Sequence, residues 1–164
     1  MRGRTIKSLS LLLLLAAGLV AVVSYDAKDK KNTVERIPFP EVDYWEVFEL
    51  VRKKRHFVQE VGSFYQIPVF AEELLALEGK DIVLTGYYLP FSKQDSTIII
   101  SRFPNSSCFY CGAAGIESVA MVKIGLNPDF RMDDMIIAKG KLLLNDSDLE
   151  KLAFILEEAT VQKW

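Results

Sequence analysis

The chain has 164 residues, with 20 Lys+Arg against 22 Asp+Glu, one His, two Cys and 50% apolar residues. That is material for one domain with its own core, too apolar for a disordered chain and too poor in cysteine for a disulfide-built scaffold. Setting aside the first 24 residues and their three basic side chains leaves a balance of −5, which speaks against nucleic acid as a partner.

Arg2, Arg4 and Lys7 precede an apolar run over residues 9–23 that only Ser10 and Gly18 interrupt, and a polar stretch follows from Ser24. A basic start, an apolar centre and a small-residue exit are the parts of an export signal, so residues 1–24 read as a signal peptide or signal anchor. Val22-Val23-Ser24 suits cleavage before Tyr25. The run is shorter than the roughly 20 residues that cross a bilayer comfortably, and an uncleaved anchor is the alternative. The protein is expected outside the cytoplasm, periplasmic or anchored to the outer face of the inner membrane, with that anchor as its one membrane contact. Residues 25–40 then form a charged linker closed by Pro38 and Pro40, which remove backbone donors.

Residues 41–164 read as a single domain. Asp43 is a helix cap, and Tyr44, Val47, Phe48 and Val51 recur at helical spacing, predicting a helix over 43–54 with Arg52, Lys53, Lys54 and Arg55 at its end. From 56 to 69 the text becomes β-branched and aromatic around Gly62, predicting a hairpin, and 71–77 is a short helical turn. Five apolar, β-branched runs follow at 81–89, 97–103, 118–124, 135–144 and 154–162. Gly86 and Gly140 each interrupt one of them, and a mid-strand glycine marks a bulge or bend. Bent strands in this number favour a small OB-like five-stranded barrel, preceded by an N-terminal helix and a short hairpin, over a flat sheet. Lys139 and Lys141 flank Gly140 and share one solvated face. The residues 145–148 have the chemistry of an Asx turn or helix cap, and Asp129, Asp133 and Asp134 lack the spacing of a calcium loop.

Both thiols, Cys108 and Cys111, lie between the second and third of these strands. A haem attachment would need His at 112, which is Gly. A thioredoxin-type redox pair belongs at a helix start in a βαβ framework, and no crossover helices are predicted here. A zinc site gains two soft ligands from the pair but closes with four. The only imidazole, His56, is distant in sequence and follows four basic residues, where it reads as a surface or helix-end histidine. A structural disulfide suits an oxidising compartment, and closing so short a loop contributes on the order of 2 kcal/mol. The disulfide leads, with metal next. Phe109 and Tyr110 between the thiols are candidate recognition residues. So are Tyr87 and Tyr88, since such a barrel face can stack bases or sugars, although aromatics at this density more often complete a core. No paired carboxylates, Ser-His-Asp set or phosphate-cradling loop is recognisable. The chain therefore reads as an accessory or binding protein rather than an enzyme, and the rival is a periplasmic thiol-disulfide redox protein.

One stretch, 70–122, about a third of the chain, resembles a family of exported bacterial OB-like proteins of unknown biochemical function. The resemblance is carried by Trp45, Phe70, Leu77-Glu78-Gly79-Lys80, Val83, Gly86-Tyr87, Pro90, Cys108-Phe109-Tyr110-Cys111 and the strand 119–122. Some relatives are associated with zinc acquisition alongside ABC-type transporters, which implies zinc as a possible ligand and another envelope protein or transporter component as partner. Many relatives carry Cys, an apolar residue, His and then prolines. Here Tyr110 stands in place of that His, Cys111 is additional, and Gly112-Ala113-Ala114-Gly115 replaces the prolines.

Overall fold

The structure, a computed structural model, describes residues 36–59, 62–92, 96–125 and 128–164. The expected signal and most of the linker lie outside the described residues, and no helix among those described is long and apolar enough to cross a membrane. Helix α1 spans Tyr44–Phe48 and opens as its sequence requires, with the Asp43 carboxylate accepting from the Trp45 backbone N–H at 3.0 Å. Trp45 and Phe48 are its buried side chains. The Trp45 indole N–H donates to the Thr85 carbonyl at 2.8 Å, tying α1 to the barrel wall.

The helix is shorter than its periodicity predicts. After Phe48 the chain turns, and Arg52 opens a strand, β1 (Arg52–Val58), which pairs antiparallel with β2 (Ser63–Val69). On a continuing helix Arg52 and Arg55 would be like charges at three-residue spacing. In β1 the four successive cations alternate between two faces opposite Val69, Pro68, Ile67 and Gln66. His56 therefore sits in a strand opposite Tyr65, exposed, and not at a helix end. A second short helix, α2 (Glu72–Leu75), buries Leu74.

The remaining strands are β3 (Asp81–Ser92), β4 (Thr97–Ser101), β5 (Val119–Ile124), β6 (Met135–Leu144) and β7 (Phe154–Lys163). They close in the order β3-β4-β5-β7-β6, antiparallel throughout except for the parallel pair β5–β7. This is the OB-like five-stranded barrel that the sequence pattern predicts. Closure depends on β3 serving two neighbours in turn: residues 81–87 pair with β6 and 87–92 with β4. Gly86 sits at this handover, where a Cβ would lie 2.4 Å from the Ser101 carbonyl oxygen.

Inward-facing Ile82, Leu84, Ile98, Ile100, Ala120, Val122, Ile136, Ala138, Leu142 and Leu156 fill the barrel, and Phe48, Leu74 and Phe154 join the same cluster. Phe48 and Phe154 stack in parallel with centroids 3.8 Å apart, and Phe70 meets Phe154 edge-on. On β7 one extra residue is inserted against both neighbours, with Glu158 in the left-handed region at φ 49°. The insertion reverses the inward alternation, so that 154 and 156 face the core before it and 159 and 161 after it. Gly140 lies across from this bulge, where a Cβ would approach the Glu157 carbonyl to 2.8 Å. Lys139 and Lys141 flank it on the exposed face, as their spacing predicts.

Candidate functional site

All five residues of β4 are buried, on both faces of the strand. Ile98 and Ile100 point into the barrel, while Ile99 belongs to a second cluster outside it with Leu89, Val119, Met121, Ile155 and Cys108. What covers this outer face is the connection from β4 to β5. Its base is closed by the Arg102 N–H donating to the Ser118 carbonyl at 2.9 Å. Three single 3-10 turns follow, Asn105–Ser107, Phe109–Cys111 and Ile116–Ser118. Phe109 packs against the outer cluster, and Leu152 from the β6–β7 connection joins it. The connection is fastened at several points: Arg102 to Glu49, Lys53 to Glu117 at 3.7 Å, and the Asn105 N–H to Asp133 Oδ1 at 2.7 Å. In OB barrels the outer face of the second and third strands, with its flanking loops, is the surface that binds oligonucleotides or oligosaccharides. Here the chain's own thiol loop occupies it.

The loop splits the two cysteines. Cys108 is fully buried in the outer cluster, whereas Cys111 is exposed. The Cys111 thiol donates to the Asn105 carbonyl at 2.9 Å, and its backbone N–H donates to the Cys108 carbonyl at 3.1 Å. Gly112, at φ 73°, lets the turn reverse directly after the second thiol. The surrounding loop desolvates Cys111 in part, and the adjoining Cys108 thiol adds to this, so its pKa is raised above the ordinary thiol value. Thiolate is the reactive form of cysteine, so the raised pKa leaves Cys111 with less of it than an ordinary thiol at the same pH. Burial, followed by the neighbouring Cys108, likewise raises the Tyr110 phenol.

Beside the loop lies a groove of about 330 Å³, lined by Tyr65, Ile67, Phe109 and Tyr110 along one part and by the β6–β7 connection along another. That connection is held by an Asx turn without a helix. Asn145 Oδ1 accepts from the Asp148 N–H at 2.9 Å, and Asn145 Nδ2 donates to the Asp148 carbonyl at 2.8 Å. The Lys151 ammonium and the Glu150 N–H hold the Asp148 carboxyl below its usual range.

The structure thus brings Cys108, Phe109, Tyr110 and Cys111 together and leaves the other predicted residues apart. Tyr88 continues the inward face of β3 and meets Phe130 edge-on at 5.6 Å, closing the barrel. Tyr87 is half-buried opposite Ser101 and Met135. Asp133 anchors the thiol loop, and Asp134 accepts from Lys163 Nζ and the Arg131 N–H, which keep its carboxyl below the usual range. Among the described residues no three His, Cys, Asp or Glu side chains gather where they would hold a metal ion. One buried and one exposed thiol are half the donors of a closed zinc site, and the described residues do not supply the other half. Nothing in the local sequence marks Tyr65, or the Asx-turn connection 145–153, as a wall of the groove; the uninterrupted apolar triplet Ile98-Ile99-Ile100 is the signal that an outer cover exists. Compared with family models, curated proteins and solved structures, the chain finds no match.

Proposed function

We propose that the chain is an exported, non-enzymatic accessory protein of the cell envelope. It presents its thiol loop, and the groove beside it, to another envelope protein or transporter component. The observation that carries this reading is the thiol loop seated on the outer face of β4 and β5. With that face filled from within the chain, the recognition surface moves outward to Tyr110, Cys111 and the groove walls. The export pattern of residues 1–24 and the resemblance to an exported OB-like family support the location. Both thiols are free in the structure; in an oxidising compartment they would close to a loop-fixing disulfide, passing two electrons and two protons to a thiol oxidant of that compartment. The rival redox reading draws on the same split, an exposed thiol beside a buried one, but the raised pKa of Cys111 weakens it as an attacking group.

Thiol trapping of the protein isolated from its native compartment separates the readings. We expect both thiols to be blocked until a strong dithiol reductant is added, with millimolar glutathione and EDTA each leaving them blocked. Release by EDTA would assign the pair to metal handling, and rapid exchange with glutathione would assign it to redox cycling. Either result overturns the structural disulfide.

A further inference from the structure

The hairpin β1–β2 forms a two-stranded sheet of its own, separate from the barrel. Six of the seven residues of β1 are exposed. Arg52, Lys53, Lys54 and Arg55 are consecutive, so alternation places cations on both faces of the strand. Residues 52–69 carry these four cations against the single acidic residue Glu60, while the rest of the chain holds 16 basic and 21 acidic residues. The hairpin segment thus carries a local net positive charge in a chain that is acidic elsewhere. Beyond the cations, Phe57 and Phe64 lie directly opposite each other, 45% and 55% exposed. Their rings meet edge-on at 5.0 Å, and the Arg55 guanidinium sits 4.3 Å over Phe64. Lys53 reaches back to Glu117, leaving Arg52, Lys54 and Arg55 facing outward.

From this arrangement we infer that the hairpin docks on an anionic phospholipid surface, with Phe57 and Phe64 entering the headgroup–acyl boundary and Arg52, Lys54 and Arg55 on the phosphates. The spacing suits the task best at Arg55, which lies two residues behind Phe57 on the same face, about 7 Å along a strand, where interfacial apolar anchors sink about 5–10 Å. Lys54 and Arg52 lie on the opposite face, about 10 and 17 Å behind. Long basic side chains keep their heads at the phosphates while their stems lie along apolar surface. The ring geometry disfavours nucleic acid, the other polyanion. Stacking on bases needs an open aromatic face, and here Arg55 already covers one face of Phe64 while Phe57 meets the same ring in a T-shaped contact. The acidic remainder of the chain would also repel an extended polyanion, whereas a projecting hairpin can reach a flat charged surface. This contact is separate from the N-terminal segment and does not rest on the thiol loop.

The test uses the full chain carrying Phe57→Trp, reconstituted into vesicles of brominated phosphatidylglycerol or brominated phosphatidylcholine, with the parent chain's Trp45 and Trp164 emission subtracted. We expect the reporter to be quenched and blue-shifted in the anionic vesicles and not in the zwitterionic ones. R55Q and K54Q should each lower the docked-to-free ratio about five-fold, the worth of one cation at an anionic surface, and R52Q, farthest from the rings, should lower it less. Trp45 emission, from a buried ring, reports that each variant remains folded. Equal quenching in both lipids, or quenching that survives all three substitutions, overturns the inference. A reporter that ignores lipid and responds to a single-stranded oligonucleotide overturns it in favour of nucleic acid.

Discussion

Replacing Phe154 by alanine is expected to lower the unfolding free energy by about 3–5 kcal/mol, the range for truncating a buried phenylalanine. Phe154 is fully buried where three parts of the chain meet: it opens β7, stacks on Phe48 of α1 and receives the edge of Phe70. The barrel wall under it is fixed by hydrogen bonds and cannot close the gap, while Phe48 and Phe70, which lie outside the barrel strands, lose their ring contact. The loss would also free α1, a helix of five residues. So short a helix owes its stability to packing rather than to its own hydrogen bonds. Urea unfolding followed by tryptophan fluorescence reads both effects, since Trp45 lies on α1. A loss below about 1.5 kcal/mol, within the range of a volume-conserving swap, would contradict this view of how the N-terminal elements seal the barrel.

The second large effect is at Gly86. Adding one methyl there places a carbon 2.4 Å from the Ser101 carbonyl oxygen and 3.1 Å from the Ile100 side chain. The opposing atom is backbone, so relief requires parting β3 from β4 at the handover that closes the barrel. Overpacking of this kind costs about 1–3 kcal/mol and occasionally more, and Gly86→Ala belongs at the upper end. Gly125→Ala is the control. A Cβ there meets nothing within 4 Å and the backbone is not left-handed, so the loss of unfolded-state freedom should stabilise by about 0.4–1 kcal/mol. The same chemical change thus has opposite signs at two sites, and equal effects in thermal or urea unfolding would refute the close-approach account.

Much of the barrel is legible in the sequence because strand signals are local. Alternation, turn residues and the two mid-strand glycines each act over a few positions, and the strands lie close to where those signals place them. The N-terminal helix is shorter than its local pattern predicts for the converse reason. Tyr44, Val47, Phe48 and Val51 have helical spacing, but β1 gains a partner in β2, a non-local pairing that periodicity cannot register. The candidate site is less legible still. Cys108 and Cys111 have the same local text, and only the fold decides that one is buried under the loop and the other left outside. Tyr87 and Tyr88 adjoin in sequence, yet Tyr88 belongs to the barrel interior while Tyr87 does not.

The loop's position on the barrel is the claim from which the functional reading follows, and alkylation of the reduced, folded protein tests it most directly. Mass mapping after iodoacetamide should find Cys111 modified and Cys108 untouched until denaturant is added. The reaction at Cys111 should be slower than for a free thiol at pH 7–8. A raised pKa leaves less thiolate at a given pH, so the rate should keep climbing above the ordinary thiol midpoint. Equal modification of both cysteines in the folded protein, or Cys108 reacting first, would contradict the account.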